Sequence, residues 1–142
     1  MINITLRSKV RGELMAIHQR FDADLFRYLL PPGAQLIEYG GSIKGDTVHL
    51  KLPVAGAWVS EITENGTSAD TCYFIDEGRT LPFPLKEWRH KHILHRAGES
   101  TIIEDNINYS TGNVLADLLI YPVLLLSFLP RVWQYKKYFN EV

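Results

Sequence analysis

From Ile2 the chain alternates, with Ile2, Ile4 and Leu6 on one side and Asn3, Thr5 and Arg7 on the other. This period of two predicts a half-buried strand from Ile2 to Lys9. The spacing then becomes helical from Gly12 to about Leu30, with Leu14, Ile17, Phe21, Leu25, Phe26 and Leu29 apolar. Asp22 is placed to cap a second short helix starting near Ala23. Pro31-Pro32-Gly33 ends the helical region, because neither proline continues a helix.

From Ala34 to Ser110 the pattern is one of strands and turns. Strands are expected at Gln35–Tyr39, Thr47–Leu52, Ala57–Glu64, Asp70–Glu77, Lys86–Arg96 and Ser100–Tyr109. Asn65-Gly66 reads as a tight turn. Gly78 to Leu85, with Pro82 and Pro84, reads as a loop, and Ala97-Gly98-Glu99 as a hairpin tip. Helix returns near Asn113, with Thr111 or Asn113 as its cap. Pro122 and Pro130 predict a kink or a change of segment. Arg131 to Val142 is amphipathic and basic toward its end. One strand, two short helices, six strands and a long C-terminal helix make an α+β fold with an antiparallel sheet. Without a linker or an internal repeat, residues 1–142 form a single domain.

Val114 to Trp133 has 15 apolar residues in 20, close to the length of a membrane span. Asp117 and two prolines interrupt it, and the uncharged window between Asp117 and Arg131 is 13 residues. A buried helix is therefore expected, and no transmembrane span. The first residues carry no secretory signal pattern, which predicts a cytoplasmic protein. With 15 basic and 16 acidic residues the net charge is -1, and the basic residues are scattered. No face is set aside for nucleic acid. The single cysteine, Cys72, excludes an internal disulfide framework and reads as a buried structural thiol. The glycine cluster Gly40-Gly41-Ser42-Ile43-Lys44-Gly45 is not a phosphate loop. Asp46-Thr47 stand where Lys and then Ser or Thr are needed, and a hairpin turn is expected instead.

The candidate chemistry lies near the last two strands. Trp88, His90, His92 and Leu94 share a face opposite Glu87, Arg89 and Lys91, so the histidines should point inward. Ile103, Asp105, Ile107 and Tyr109 share a face of the next strand. Folding about Ala97-Gly98 pairs Arg96 with Glu99, His92 with Ile103, His90 with Asp105 and Trp88 with Ile107. Three readings stand for the inward group of His90, His92, Asp105 and Tyr109. It could be a structural network, the polar end of a ligand cavity, or a metal site built on His-x-His with Asp105 as third ligand. A metal is not expected, because only one inward carboxylate accompanies the histidines.

Asp76-Glu77-Gly78, Pro82-Phe83, Trp88, His90, His92, Asp105, Tyr109 and the late Pro130-Arg131 together resemble a motif of the START-like superfamily called SRPBCC. The likeness is to small bacterial members similar to polyketide cyclases and dehydrases. Two departures are visible: Arg79-Thr80-Leu81 separates Gly78 from Pro82-Phe83, and the glycine–proline stretch before the last helix is reduced to Thr111-Gly112. The resemblance implies a helix-grip fold, in which a bent seven-stranded antiparallel sheet wraps the C-terminal helix and two short helices follow the first strand. It also implies a cavity between sheet and helix for a lipid-, sterol- or polyketide-like ligand, without a cofactor. Trp58, Trp88, His90, His92, Asp105, Ile107, Tyr109 and Leu118 are the expected ligand-binding residues. The alternatives are a cofactor-free cyclase or dehydratase, with His90 as acid or base, Asp105 orienting it and Tyr109 donating a proton, or an interaction module with a closed cavity.

Overall fold

The computed structural model describes residues 1–140. Strand β1 (Ile2–Arg11) is followed by helices α1 (Leu14–Gln19) and α2 (Ala23–Leu29). Strands β2 (Gln35–Tyr39), β3 (Thr47–Leu52), β4 (Gly56–Thr67), β5 (Thr71–Thr80), β6 (Glu87–Ala97) and β7 (Ser100–Ser110) come next, then helices α3 (Val114–Phe128) and α4 (Arg131–Asn140). All seven strands form one antiparallel sheet in the order β1-β7-β6-β5-β4-β3-β2. The first and last strands thus pair, and the helices cover one face, as the alternating pattern requires.

The helix starts follow local chemistry. The Asp22 carboxylate accepts from the Leu25 N–H, and the Asn113 side chain accepts from the Ala116 N–H, so each fills a donor left open in a first turn. The C-terminal helical stretch changes segment at Leu129-Pro130, and Pro122 sits inside α3 without ending it.

Three sequence expectations fail locally. Gly78 to Leu85 is not all loop, because β5 continues to Thr80 in pairing with β4. Asn65-Gly66 does not turn; β4 runs through it, and the chain reverses at residues 68–70. Gly66 is needed for a different reason. A Cβ there would lie 2.6 Å from Cε1 of Tyr73, whose ring covers the glycine from the neighbouring strand. The β6–β7 register is also displaced. Gly98, at φ +64°, and Glu99 form the turn, and Ala97 pairs with Ser100. His92 therefore lies opposite Asp105, His90 opposite Ile107 and Trp88 opposite Tyr109. Each residue on β7 is displaced by two from the expected partner. A shift of two keeps side chains on the same face, so the histidines, Asp105, Ile107 and Tyr109 still point inward and are buried.

The interior has two apolar clusters. Phe21, Leu25, Phe74, Leu94, Ile103, Tyr135 and Phe139 belong to one, where α1, α2 and α4 meet the sheet. Ile4, Leu85, Trp88, Ile107, Tyr109 and Leu124 belong to the other, beneath α3. Leu125 and Phe128 pack against this second cluster.

The deep burial expected for α3 is not found. Only Asp117 and Leu124 are buried within it, and Leu118, expected at the ligand, is 57% exposed. Asp117 is held instead by its own turn. The backbone N–H and the hydroxyl of Thr111 both donate to its Oδ1, at 2.6 and 2.7 Å. These bonds lower its carboxyl below the ordinary carboxylate value.

Candidate functional site

Between the two clusters β5, β6 and β7 place four ionisable side chains on the concave face. His90 and His92 are two residues apart on β6, and their rings stack at 3.7 Å. Asp76 on β5 pairs with His90, and Asp105 on β7 pairs with His92. The hydrogen bonds cross this pairing. His90 Nε2 lies 2.8 Å from Asp105 Oδ1, and His92 Nε2 lies 2.7 Å from Asp76 Oδ2. Stacking aligns the two rings, so each reaches the carboxylate diagonal to it.

Arg131, the first residue of α4, reaches the same place. Its Nη1 lies 3.4 Å from Asp105 Oδ1, and its guanidinium lies over the Phe128 ring at 4.7 Å. Its side chain is 13% exposed. Burial opposes ionisation of Asp105, but the hydrogen bond with His90 and the charge of Arg131 outweigh it and hold this carboxyl far below the ordinary value. Asp76 is likewise lowered against its burial, chiefly by the hydrogen bond with His92. His92 moves the other way. Burial and the neighbouring His90 pull it down to about 4. It is therefore neutral at pH 7, and its bond to an ionised Asp76 puts the proton on Nε2. The bare Nδ1 is buried without a partner, 3.7 Å from Asp105 Oδ1.

His90, His92, Asp76 and Arg131, with Phe26, Phe74, Trp58, Trp88 and Phe128, line an inner chamber of about 80 Å³. Beside it lies an apolar outer cleft of about 270 Å³ between α3, the end of α2 and the loops after β3 and β5. Leu30, Leu50, Trp58, Phe128 and Arg131 border both spaces. The Trp58 and Trp88 rings meet edge to face at 4.7 Å.

Of the expected residues, Trp58, Trp88, His90 and His92 stand on the chamber wall. Asp105 lies behind His90 and Arg131 and is buried. Ile107 and Tyr109 sit in the core beneath α3 and border neither space. The Tyr109 hydroxyl donates to the Asp117 carbonyl at 2.7 Å, which removes it from the polar group. Leu118 points to solvent. Sequence reasoning missed Asp76 as an inward group and Arg131 as the counter-ion of Asp105. Alternation along β5 could have found Asp76, because Cys72, Phe74 and Asp76 share a face.

Asp76, His90 and His92 offer donor atoms within 4.8 Å of one another, so the second inward carboxylate that the sequence reading lacked is present. The His92 and Asp76 donors are already bonded to each other, and Arg131 places a cation beside Asp105. A metal would have to break the first contact and tolerate the second.

No family model matches the chain, and no curated protein matches it either. Solved structures do. The XoxI protein of Bacillus cereus superposes with a TM-score of 0.72 over 99% of this chain and 97% of its own, at 14% identity. A truncated norcoclaurine synthase from Thalictrum flavum gives 0.67 over 92% and 90%, at 11% identity. A START superfamily protein from Mycobacterium smegmatis gives 0.63 over 93% and 94%, at 8% identity. The chain has the START-like, or SRPBCC, helix-grip fold.

Proposed function

We propose that the protein binds a lipophilic small molecule in the cleft between the sheet and α3. The ligand is lipid-, sterol- or polyketide-like, with its polar end directed at Arg131, His90 and His92. The observation that carries this reading is the adjacency of two unlike spaces. The apolar outer cleft, about 270 Å³, shares Trp58, Phe128 and Arg131 with a chamber that has buried polar groups. Apolar walls hold the body of a ligand, and a few polar groups orient it. The inner chamber admits a head group only. One matching structure, a Thalictrum flavum norcoclaurine synthase variant, holds a transition-state analogue, which supports occupancy of this fold by small organic molecules. The open cleft speaks against an interaction module with a closed cavity. The lone thiol, Cys72, is buried beside Met15 and suits a reducing cytoplasm.

A second reading rests on His90. It stands on the chamber wall with Asp105 at 2.8 Å, the arrangement of a base and its orienting carboxylate. In this reading His90 moves a proton on a polyketide-like substrate without a cofactor, and Tyr109 takes no part.

Native mass spectrometry of the purified protein tests the first reading, followed by displacement of a lipophilic fluorescent probe. A retained small molecule, with probe affinity weakened by Trp58→Ala, is the expected result. No retained molecule, and no thermal shift with any member of a lipophilic library, overturns it. Turnover of a bound ligand that is lost in His90→Gln selects the second reading.

A further inference from the structure

One side of α3 is bare hydrocarbon. Val114, Leu115, Leu118, Leu119, Val123 and Leu126 are each more than half exposed. At about 100° per residue these six fall within one half of the helix circumference. The other residues on that arc are Pro122 and half-buried Leu125, so no side chain there carries a charge or can make a hydrogen bond. Soluble domains rarely leave such a surface open without a use for it. The apolar surface continues onto two loop tips. Val54, between β3 and β4, and Phe83, between β5 and β6, are fully exposed. Both loops border the outer cleft, as does Val123 itself.

We propose that α3 and the tips at Val54 and Phe83 form a lipid-docking face that lays the mouth of the cleft against a bilayer. A protein partner would be expected to form about one hydrogen bond per 100–200 Å² of contact, and the α3 arc has no group to offer. A convex half-cylinder flanked by two protruding apolar tips fits fluid hydrocarbon better than a second rigid surface. Exposed Lys86 borders a shallow surface hollow with Phe83, Leu115 and Leu119. There its stem can lie on the apolar rim while its ammonium meets anionic headgroups.

The helix lies on the membrane and does not cross it. Its 15 residues reach about 22 Å, short of the roughly 30 Å hydrocarbon core. Its other side is committed to the protein through Leu124, Phe128 and the Asp117–Thr111 bonds. Docking goes beyond the ligand reading and does not need it, because it is measured with no ligand present.

The test is flotation of the whole protein with phosphatidylcholine vesicles, with and without phosphatidylglycerol. The wild type should float with both and more strongly with the anionic vesicles, with that excess lost at high salt. The double variant Leu115→Glu/Leu119→Glu changes side chains that are about two-thirds exposed and belong to neither buried cluster, so its unfolding temperature should hold while vesicle binding falls about tenfold or more. Lys86→Glu should cost less, about fivefold, and only on anionic vesicles. Should the double variant fail to fold, Phe83→Glu at its loop tip reads the same loss. A wild type that stays with the soluble fraction in all vesicles overturns the proposal. So does unchanged vesicle binding by the folded variants. A dimer that dissociates in the double variant, without vesicle binding, assigns the face to a second copy of the chain instead.

Discussion

The two halves of the C-terminal helical stretch are both rich in apolar residues, yet they meet opposite surroundings. In α4 the apolar residues other than exposed Trp133 are sorted to one side. Tyr135 and Phe139 are buried and lie against Phe21, with ring centroids at 6.0 and 6.1 Å, while Lys136 and Lys137 face water. In α3 the residues are apolar on nearly all sides, and the sheet reaches only one of them. Leu124 is buried, and Leu125 and Phe128 pack beside it. The same sheet thus grips one segment closely and leaves the other standing off, and the outer cleft occupies the gap. Hydrophobicity alone is a poor guide to burial here. The sorting of apolar residues around the helix is the better one.

The sharpest way to break this comparison is to truncate a side chain at each end. Tyr135→Ala should destabilise the fold by about 3–5 kcal/mol, and Leu126→Ala by no more than about 0.5 kcal/mol, both read by chemical denaturation. Equal losses would mean that α3 is as well packed as α4. The polar group between the halves comes next. Asp105→Asn leaves Arg131 buried beside a neutral amide and should cost about 3 kcal/mol. A near-neutral result would show that the group is hydrated and that the halves are not tied through it.

Acid should separate the regions further. Between pH 6.5, the ordinary histidine value, and about 4, the unfolded chain protonates His92 while the folded chain does not. Lowering the pH through that window therefore favours unfolding, by up to about 3 kcal/mol, and the contribution is fully present only above 6.5. Asp76 and Asp105, whose carboxyls are depressed in the fold, add a further loss as pH falls below about 3.8. Unfolding midpoints of the wild type and His92→Gln across this range should diverge, with the variant flatter between 6.5 and 4. The smallest expected effect is that of zinc. With His92 Nε2 and Asp76 Oδ2 bonded to each other, added zinc should leave the unfolding temperature unchanged. A rise would show that the pairs open to admit a metal.

Much of the fold was legible because alternation and helical spacing survive whatever the elements later touch. Asp22 caps α2 as expected, Asn113 is the one of the two candidates that caps α3, and β2 and β3 have the expected bounds. Asn65-Gly66 misled because the glycine answers to the Tyr73 ring on the next strand, a contact that local pattern does not contain. The site was legible by face and not by partner. Period two placed His90, His92 and Asp105 inward. The two-residue displacement in the hairpin then changed which residue lies opposite which, and ring stacking redirected the hydrogen bonds to the diagonal carboxylates.

What the sequence by itself determined is the set of elements, their order and the inward faces of the strands, because these depend on backbone periodicity and on the solvation of each side chain. The curvature of the sheet, the adjacency of the outer cleft and the His–Asp chamber, the arrival of Arg131 beside Asp105, and the exposure of α3 were decided by the tertiary structure. Each depends on how far apart two distant segments come to rest. That distance is set by the packing of the whole interior, and no local stretch of residues encodes it.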